Sequence, residues 1–306
     1  MRISVVTIFP QMVKGFLSEG IVARAIGGGL VDVRVLDLRD FTDDNYRSVD
    51  DYPYGGGPGM VMKAEPILRA VATVTGVDYL AGRSPRAAGT AGRGAEEDAE
   101  EDNEAPAREG LAAASDGRFT RGDAPELPAD AGGSLGARGE ESRHRIVILS
   151  PQGRQYDQPM ARELSGCDSL VLVCGRYKAI DERVREILGA EELSVGDYVL
   201  SGGELGAMVV IESAVRLLPG AMEDEDSAAG DSFEEGLLDS AYYTRPEVVA
   251  GRPVPQTLVS GNHEAIRRWR RKSALERTLD RRPDLMGEKA LSKEDRDLLN
   301  GTDRMG

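Results

Sequence analysis

Short apolar runs separated by polar stretches recur over roughly the first 80 residues and again from roughly 145 to 220. Ile3–Ile8 is such a run, ending at Phe9-Pro10, and it predicts a buried strand that feeds a helix. Val31, Val33 and Val35 alternate with polar neighbours, which predicts a second strand over Val31–Leu36. Ala64–Thr73 reads as a helix, with Pro66 tolerated in its first turn because no intrahelical N–H is needed there. Further strands are expected at Ile146–Leu149, Leu170–Cys174 and Tyr198–Leu200, and a largely apolar helix at Leu205–Leu218 stops at Pro219-Gly220. Apolar strands alternating with helices predict an α/β fold around a buried, mainly parallel sheet.

The C-terminal part has a different pattern. Asn262 is a suitable cap for a helix over His263–Leu279. At about 100° per residue, Ala265, Trp269 and Leu279 share one side and Arg267, Arg270 and Arg271 the other. Ser292-Lys293-Glu294-Asp295 resembles a capping box that opens a last short helix ending near Gly301. A small all-helical domain with a basic face is therefore expected over 241–306. The acidic stretch 222–240 reads as a linker, and 1–221 as the α/β domain.

Residues 82–143 do not fit either pattern. They are rich in Gly, Ala, Arg and Glu and nearly free of Val, Ile and aromatics, so they cannot bury enough apolar surface to offset chain entropy. They are expected to be a disordered acidic insertion with no catalytic role.

Charge changes the picture by its placement. The net charge of −15 argues at first against a nucleic-acid partner. Yet 82–143 holds 14 acids against 8 arginines, 222–240 holds 8 acids and no base, and 244–282 carries 10 Lys/Arg against 4 acids. Acidity sits in two segments and a basic region stands near the C-terminus, so RNA is not excluded. Cys167 and Cys174 offer neither a disulfide framework nor zinc spacing. No charged-then-apolar leader is read, and no apolar run approaches the ~18 residues of a membrane span. A cytoplasmic protein without a membrane partner is the expectation.

Candidate chemistry concentrates in two glycine-dense loops, Asp50 to Met60 and Val195 to Glu204. Three consecutive glycines followed by Pro-Gly exceed what a turn needs, and they let a ligand approach bare backbone. Neither loop is a P-loop, since the chain contains no Gly-Lys-Ser/Thr, and neither has the three spaced glycines of a dinucleotide fingerprint. His263-Glu264 is followed by Arg267 where a zinc protease needs histidine. No metal-ligating set is expected.

Eight blocks in order then carry a resemblance. They are Tyr54 to Met60, Leu149 to Gly153, Val173 to Tyr177, Ile180 to Val184, Gly196 to Glu204, Asp231-Ser232-Phe233, Tyr243-Thr244-Arg245-Pro246 and Ser260-Gly261-Asn262-His263. The ensemble closely resembles the bacterial tRNA (guanine-N1)-methyltransferases of the SPOUT class, over nearly everything except 82–143. The resemblance implies a trefoil-knotted methyltransferase domain, an exception to the rule against knots. It also implies a homodimer with active sites at the interface, S-adenosyl-L-methionine as methyl donor, Mg2+ as a candidate second cofactor, and the guanine 3′ of the tRNA anticodon as target. Carried over by position, the cofactor pocket is Ser150, Pro151, Gln152, Gly175, Tyr177, Ser194, Val195, Gly196, Asp197, Tyr198, Val199, Leu200, Gly202 and Gly203.

Guanine N1 carries a proton at neutral pH, so methyl transfer there needs a base at N1–H and a donor for charge on O6. The resemblance assigns these roles to Asp231 and Arg216. Read alone, Arg216 is a cation at a helix end, and Asp231 is one of eight acids in a linker. Asp50, Tyr54, Gly55, Gly57 and Pro58 are expected to meet the flipped guanine, and Arg245, Asn262, His263, Arg267, Arg270 and Arg271 the anticodon stem-loop. Lys178-Ala179 replaces the family's usual Glu-Gly after Gly-Arg-Tyr, which puts metal dependence and turnover in question. Two rivals stand beside this reading: a related knotted RNA methyltransferase with another target, and a catalytically impaired RNA-binding homologue.

Overall fold

The computed structural model describes residues 1–81, 143–222, 230–288 and 291–301. Met1–Tyr79 together with Glu141–Gly306 form one compact unit, and Leu80–Glu140 the other. The expectations for the 82–143 insertion, apart from Arg143, and for Glu223-Asp224-Glu225-Asp226 of the linker lie outside the described residues.

In chain order the α/β part runs β1 (Arg2–Thr7), α1 (Pro10–Leu17), α2 (Gly20–Gly27), β2 (Asp32–Asp37), β3 (Asp50–Asp51), β4 (Val61–Met62) and α3 (Ala64–Thr75). After the insertion come β5 (His144–Gln155), α4 (Gln158–Ser165), β6 (Ser169–Cys174), β7 (Ala179–Ile180), α5 (Glu182–Leu188), β8 (Glu191–Ser194) and α6 (Glu204–Val215). Five strands form one sheet in the order β2-β1-β6-β5-β8, every pair parallel. One layer of the core joins Ile3, Val5, Val147, Leu170 and Leu172 from the strands to Val13, Val22, Val210, Ile211 and Ala214 from α1, α2 and α6. Alternate strand positions point to the opposite face, where α3 packs against β1 and β6. α3 ends at Gly76, whose φ of 73° supplies the left-handed cap.

Strand β5 carries the irregularity that shapes the site. It pairs with β8 at Leu149↔Leu193, leaves register, and rejoins at Arg154↔Leu193. Ser150 to Gly153 therefore loop out of the sheet edge. Gly153 makes this possible: a Cβ there would stand 2.3 Å from the Glu192 carbonyl carbon and 2.4 Å from the Leu193 nitrogen.

Three expectations need correction. Tyr198–Leu200 is not a strand; the strand of this region is β8, and Tyr198 and Val199 are exposed. Gly196 turns the chain back at φ 151°, Tyr198 N–H bonds Gly196 O at 2.9 Å, and Tyr198 Oη donates to Val195 O at 3.0 Å. An apolar run folded on itself cannot extend. The helix expected to reach Leu218 ends at Val215, after which Leu217 and Leu218 close tighter bonds to Ala214 and Val215.

The third correction concerns the C-terminal part. It holds α7 (Gln256–Val259), α8 (His263–Arg281), α9 (Pro283–Glu288) and α10 (Lys293–Leu299), preceded by a two-stranded hairpin of β9 (Val248–Val249) and β10 (Arg252–Pro253). Ala250 and Gly251 both have positive φ at the hairpin turn, the twist that suits two short antiparallel strands. Within α8, Leu279 is exposed while Leu275 and Thr278 are fully buried. Leu275 packs with Leu237 and Leu298, so the helix buries a stripe that includes its supposedly basic side. Ser292 and Asp295 form the expected capping box at α10.

Candidate active site

The ends of β5, β6 and β8 open into a cleft of about 190 Å³. Its walls are Ser150, Pro151 and Gln152 from the β5 excursion, Gly175 to Asp181 after β6, and Leu193 to Gly203 after β8 with Asp197 excepted. Every expected cofactor-pocket residue except Asp197 lines it; Asp197 is exposed beside it. Tyr177 adopts φ 61° on this wall, a left-handed conformation that non-glycine residues hold mainly at constrained sites.

A buried ion pair closes the floor of the cleft. Glu204, at the start of α6, is fully buried. It accepts from Thr7 Oγ1 at 2.7 Å and from Arg176 Nε at 3.1 Å. The Arg176 guanidinium lies 4.3 Å from the centre of the Phe9 ring, a cation–π stack. The pair explains Gly202, where a Cβ would stand 2.2 Å from Arg176 Nε and 2.5 Å from Glu204 Oε2. Gly203 is required instead by the end of β6, where a Cβ would stand 2.9 Å from Cys174 Cα. Gly203 N–H also bonds Gly175 O at 2.9 Å, tying two cleft loops together. Sequence reasoning missed Arg176 and Glu204 as a functional pair. The available signal was a carboxylate opening a largely apolar helix directly after Gly-Gly.

The Asp50–Met60 loop reaches the same cleft from the side. β3 and β4 pair antiparallel, and β4 pairs parallel with β7. Gly55, Gly56, Gly57 and Gly59 all have positive φ, as their density suggested, and Tyr54 is wholly exposed. Lys178 N–H bonds Met60 O at 2.9 Å, and a Cβ on Gly59 would meet Lys178 Cβ at 3.3 Å. Lys178 lines the cleft. The residue that departs from the family pattern thus stands where loop and cleft join.

Arg216 and Asp231 find each other. Arg216 caps the C-terminus of α6, and its Nη2 meets Asp231 Oδ2 at 2.5 Å. Neither lines the cleft of its own chain. Asp231 instead borders a second, open cavity of about 570 Å³ with Tyr242, Arg267, Arg270, Arg271 and Glu294.

The RNA candidates divide. Arg267 bonds Glu264 and Glu294, each at 2.8 Å, and Arg271 bonds Asp295 Oδ1 at 2.7 Å and Glu235 Oε2 at 2.7 Å. These carboxylates raise both guanidinium pKa values. Arg270 stacks over Tyr242 at 5.8 Å. Arg245 and His263 are exposed. Asn262 is the helix cap, its Oδ1 accepting from Ala265 N–H at 3.1 Å. The cofactor candidates other than Asp197 come together in one cleft, which the Asp50–Met60 loop adjoins, while Arg267, Arg270 and Arg271 border the second cavity with Asp231.

A family model described as tRNA (Guanine-1)-methyltransferase TrmD matches residues 1–85 and 130–288. The chain belongs to this family. The match omits 86–129, inside the insertion. A tRNA (guanine-N(1)-)-methyltransferase of Moorella thermoacetica is 41% identical over 304 residues, spanning 99% of this chain and 97% of that protein. A protein of the same name from Aromatoleum aromaticum is 43% identical over 298 residues, spanning 97% and 91%. The Geobacillus kaustophilus protein of that name is 41% identical over 299 residues, spanning 98% and 97%. The parallel α/β sheet and the glycine-lined cleft are thus those of a family member. No helix among the described residues is long and apolar enough to cross a membrane.

Proposed function

We propose that this chain transfers the methyl group of S-adenosyl-L-methionine to N1 of the guanine 3′ of the tRNA anticodon (tRNA position 37). The observation that carries the reading is the contact of Arg216 with Asp231. Guanine presents an acceptor, O6, beside a donor, N1–H. An arginine donor beside a carboxylate acceptor is its complement, and the two residues bond each other until the base offers both partners.

The cleft fits the cofactor on the chemistry of its walls. Adenine edges suit main-chain N–H and C=O groups, which the Ser150–Gly153 excursion and the loop after β8 expose. The cofactor supplies a methyl group on a cationic sulfur, which leaves as a neutral thioether. Asp231 takes the N1 proton as the N1–methyl bond forms, because a carboxylate is too weak a base to remove it beforehand. Arg216 stays cationic and stabilises the charge that develops on O6. Mg2+ fits less well. The acids on the cleft wall are committed: Asp181 to Arg183 at 2.8 Å, Glu182 to Arg185 at 2.7 Å, with Glu192 3.9 Å from the same Arg185. Arg183 holds the Asp181 carboxyl below its usual range.

The same geometry supports a homodimer. Asp231 and Arg216 lie outside their own cleft, so on this reading the base meets cofactor held by another copy. Phe9 and Met12 on and beside α1 and Leu205 and Val209 on α6 are exposed apolar residues on two helices in contact, a surface that suits a second copy. The knotted topology, the division into 1–221, 222–240 and 241–306 and a cytoplasmic location complete the proposal. In it Asp50, Tyr54, Gly55, Gly57 and Pro58 clamp the guanine. Arg245, Asn262, His263 and Arg270 meet the stem-loop, and Arg267 and Arg271 join by exchanging carboxylates for phosphates.

The test incubates the protein with methyl-tritiated cofactor and an anticodon stem-loop and maps the modified base. Label at N1 of the guanine 3′ of the anticodon is expected, and Asp231→Ala should abolish it while cofactor affinity stays within two-fold. Label at another position, or undiminished transfer by Asp231→Ala, would overturn the reading.

A further inference from the structure

The segment that carries Asp231 holds two adjacent glutamates that bind in opposite directions. Glu234 turns to the α/β part: Oε1 accepts from Gln158 Nε2 at 2.6 Å and Oε2 pairs with Arg162. Its side chain is only 7% exposed although it lies in an acidic linker. Glu235 turns the other way, to Arg271 of α8, which continues to Asp295 of α10. Gln158 and Arg162 belong to α4, the helix that follows directly on β5 and its cleft-forming excursion. Glu234 is therefore the side chain through which this segment grips the element adjoining the cofactor walls.

The backbone between Glu234 and Asp231 is stiff enough to transmit that grip. Glu234 N–H bonds Asp231 O at 3.3 Å, Phe233 N–H bonds Leu237 O at 2.7 Å, and Gly236 N–H bonds Phe233 O at 3.1 Å. Phe233 and Gly236 both hold positive φ, so the turn has one shape. A carboxylate hidden from water costs free energy unless donors replace the water. Here a neutral amide and a guanidinium both do, although a solvated position was open to it. An ion pair with one exposed partner adds little stability, so its consequence is geometric.

We propose that Glu234 is a positioning residue: its attachment to Gln158 and Arg162 sets where the Asp231 carboxylate stands beside Arg216 and the guanine. The proposal rests on the reading of Asp231 as the base. Freed from α4, Asp231 would sample positions around Arg216, and displacements near 1 Å at a reacting group cost up to about 100-fold in rate.

The experiment measures methyl transfer to an anticodon stem-loop at saturating cofactor for Glu234→Ala, Glu234→Gln, Arg162→Ala and the double variant Glu234→Ala/Arg162→Ala. Glu234→Ala should lower kcat about ten-fold or more with KM for cofactor within two-fold and Tm nearly unchanged. Glu234→Gln keeps an oxygen for Arg162 and should recover most of the rate, and the double variant should be no slower than Glu234→Ala alone. An unchanged kcat, a matching loss of cofactor affinity, or a Gln variant as slow as the Ala variant would overturn the proposal. If Glu234→Ala does not fold, Arg162→Ala and Glu234→Gln decide it by the same readouts. Asp231→Ala run in parallel separates the failures: full rate there removes the base assignment, whereas an inactive Asp231→Ala beside a fully active Glu234→Ala removes only this inference.

Discussion

Replacing Glu204 by alanine removes the acceptor that Thr7 Oγ1 and Arg176 Nε share at the floor of the cleft. Glu204 is fully buried and Thr7 likewise, whereas the Arg176 side chain is 21% exposed. Breaking a buried pair by deleting one partner costs roughly 3–5 kcal/mol, because the other charge is left without compensation. Arg176 can turn partly to water and keeps its stack on Phe9, so the lower end, about 3 kcal/mol, is expected. For a chain of this size that lowers Tm by roughly 6–12 °C. Glu204→Gln keeps one carbonyl oxygen and should lose only the charge assistance, about 1–2 kcal/mol. Urea unfolding followed by far-ultraviolet circular dichroism measures both. An alanine variant within 0.5 kcal/mol of the parent, or a glutamine variant as unstable as the alanine one, would refute the reasoning (about 0.5 kcal/mol being the size of an ordinary surface change).

Other expectations follow from the same distances. Gly202→Ala places a methyl group 2.2 Å from Arg176 Nε and 2.5 Å from Glu204 Oε2; calorimetry should show cofactor affinity falling about ten-fold or more, roughly the 1–3 kcal/mol of an overpacked site. Asp295, 2% exposed, has its pKa lowered from 3.8 to about 2, chiefly by the hydrogen bond from Arg271. Because the folded value is the lower one, its stabilisation of about 2 kcal/mol is present above pH 4 or so and is lost as pH falls towards about 2. Asp295→Asn should remove that stability at neutral pH and flatten the acid limb of unfolding. The family match skips 86–129, so replacing those residues with a flexible linker should leave methyl-transfer kinetics unchanged; a loss of rate would give the insertion a catalytic part. Cys174 is completely buried, and burial pushes its thiol well up, so it should react with a thiol reagent only on unfolding.

Much of this protein was legible in one dimension because the signals are local. Continuous apolar runs specified β1 and β6, which are buried on both faces, and apolar periodicity specified β2 and α3, each to within two residues. Glycines at 55, 57 and 59 announced positive φ because only glycine adopts it freely. The cofactor candidates came by position from the family resemblance, and they lie where the ends of adjacent parallel strands open to a ligand. Tyr198–Leu200 was misread because hydrophobicity carries no information about a chain that turns back on itself at Gly196.

What tertiary structure alone decided is partnership across long separations. Thr7, Arg176 and Glu204 lie up to 197 positions apart and meet only because β1 and β6 are neighbours with α6 packed on them. The buried side of α8 shifted from Ala265 and Leu279 to Leu275 and Thr278. Arg271 could turn inward there because Asp295 and Glu235 waited for it, and a charge counts as polar in any one-dimensional pattern, whatever meets it. Separation of Asp231 from its own cleft is likewise a matter of place. A sequence states which groups a chain owns and which local shapes they favour. Distance between groups far apart along the chain is set by the packing of whole elements, and electrostatic and hydrogen-bond energies depend on that distance together with bond angle and burial.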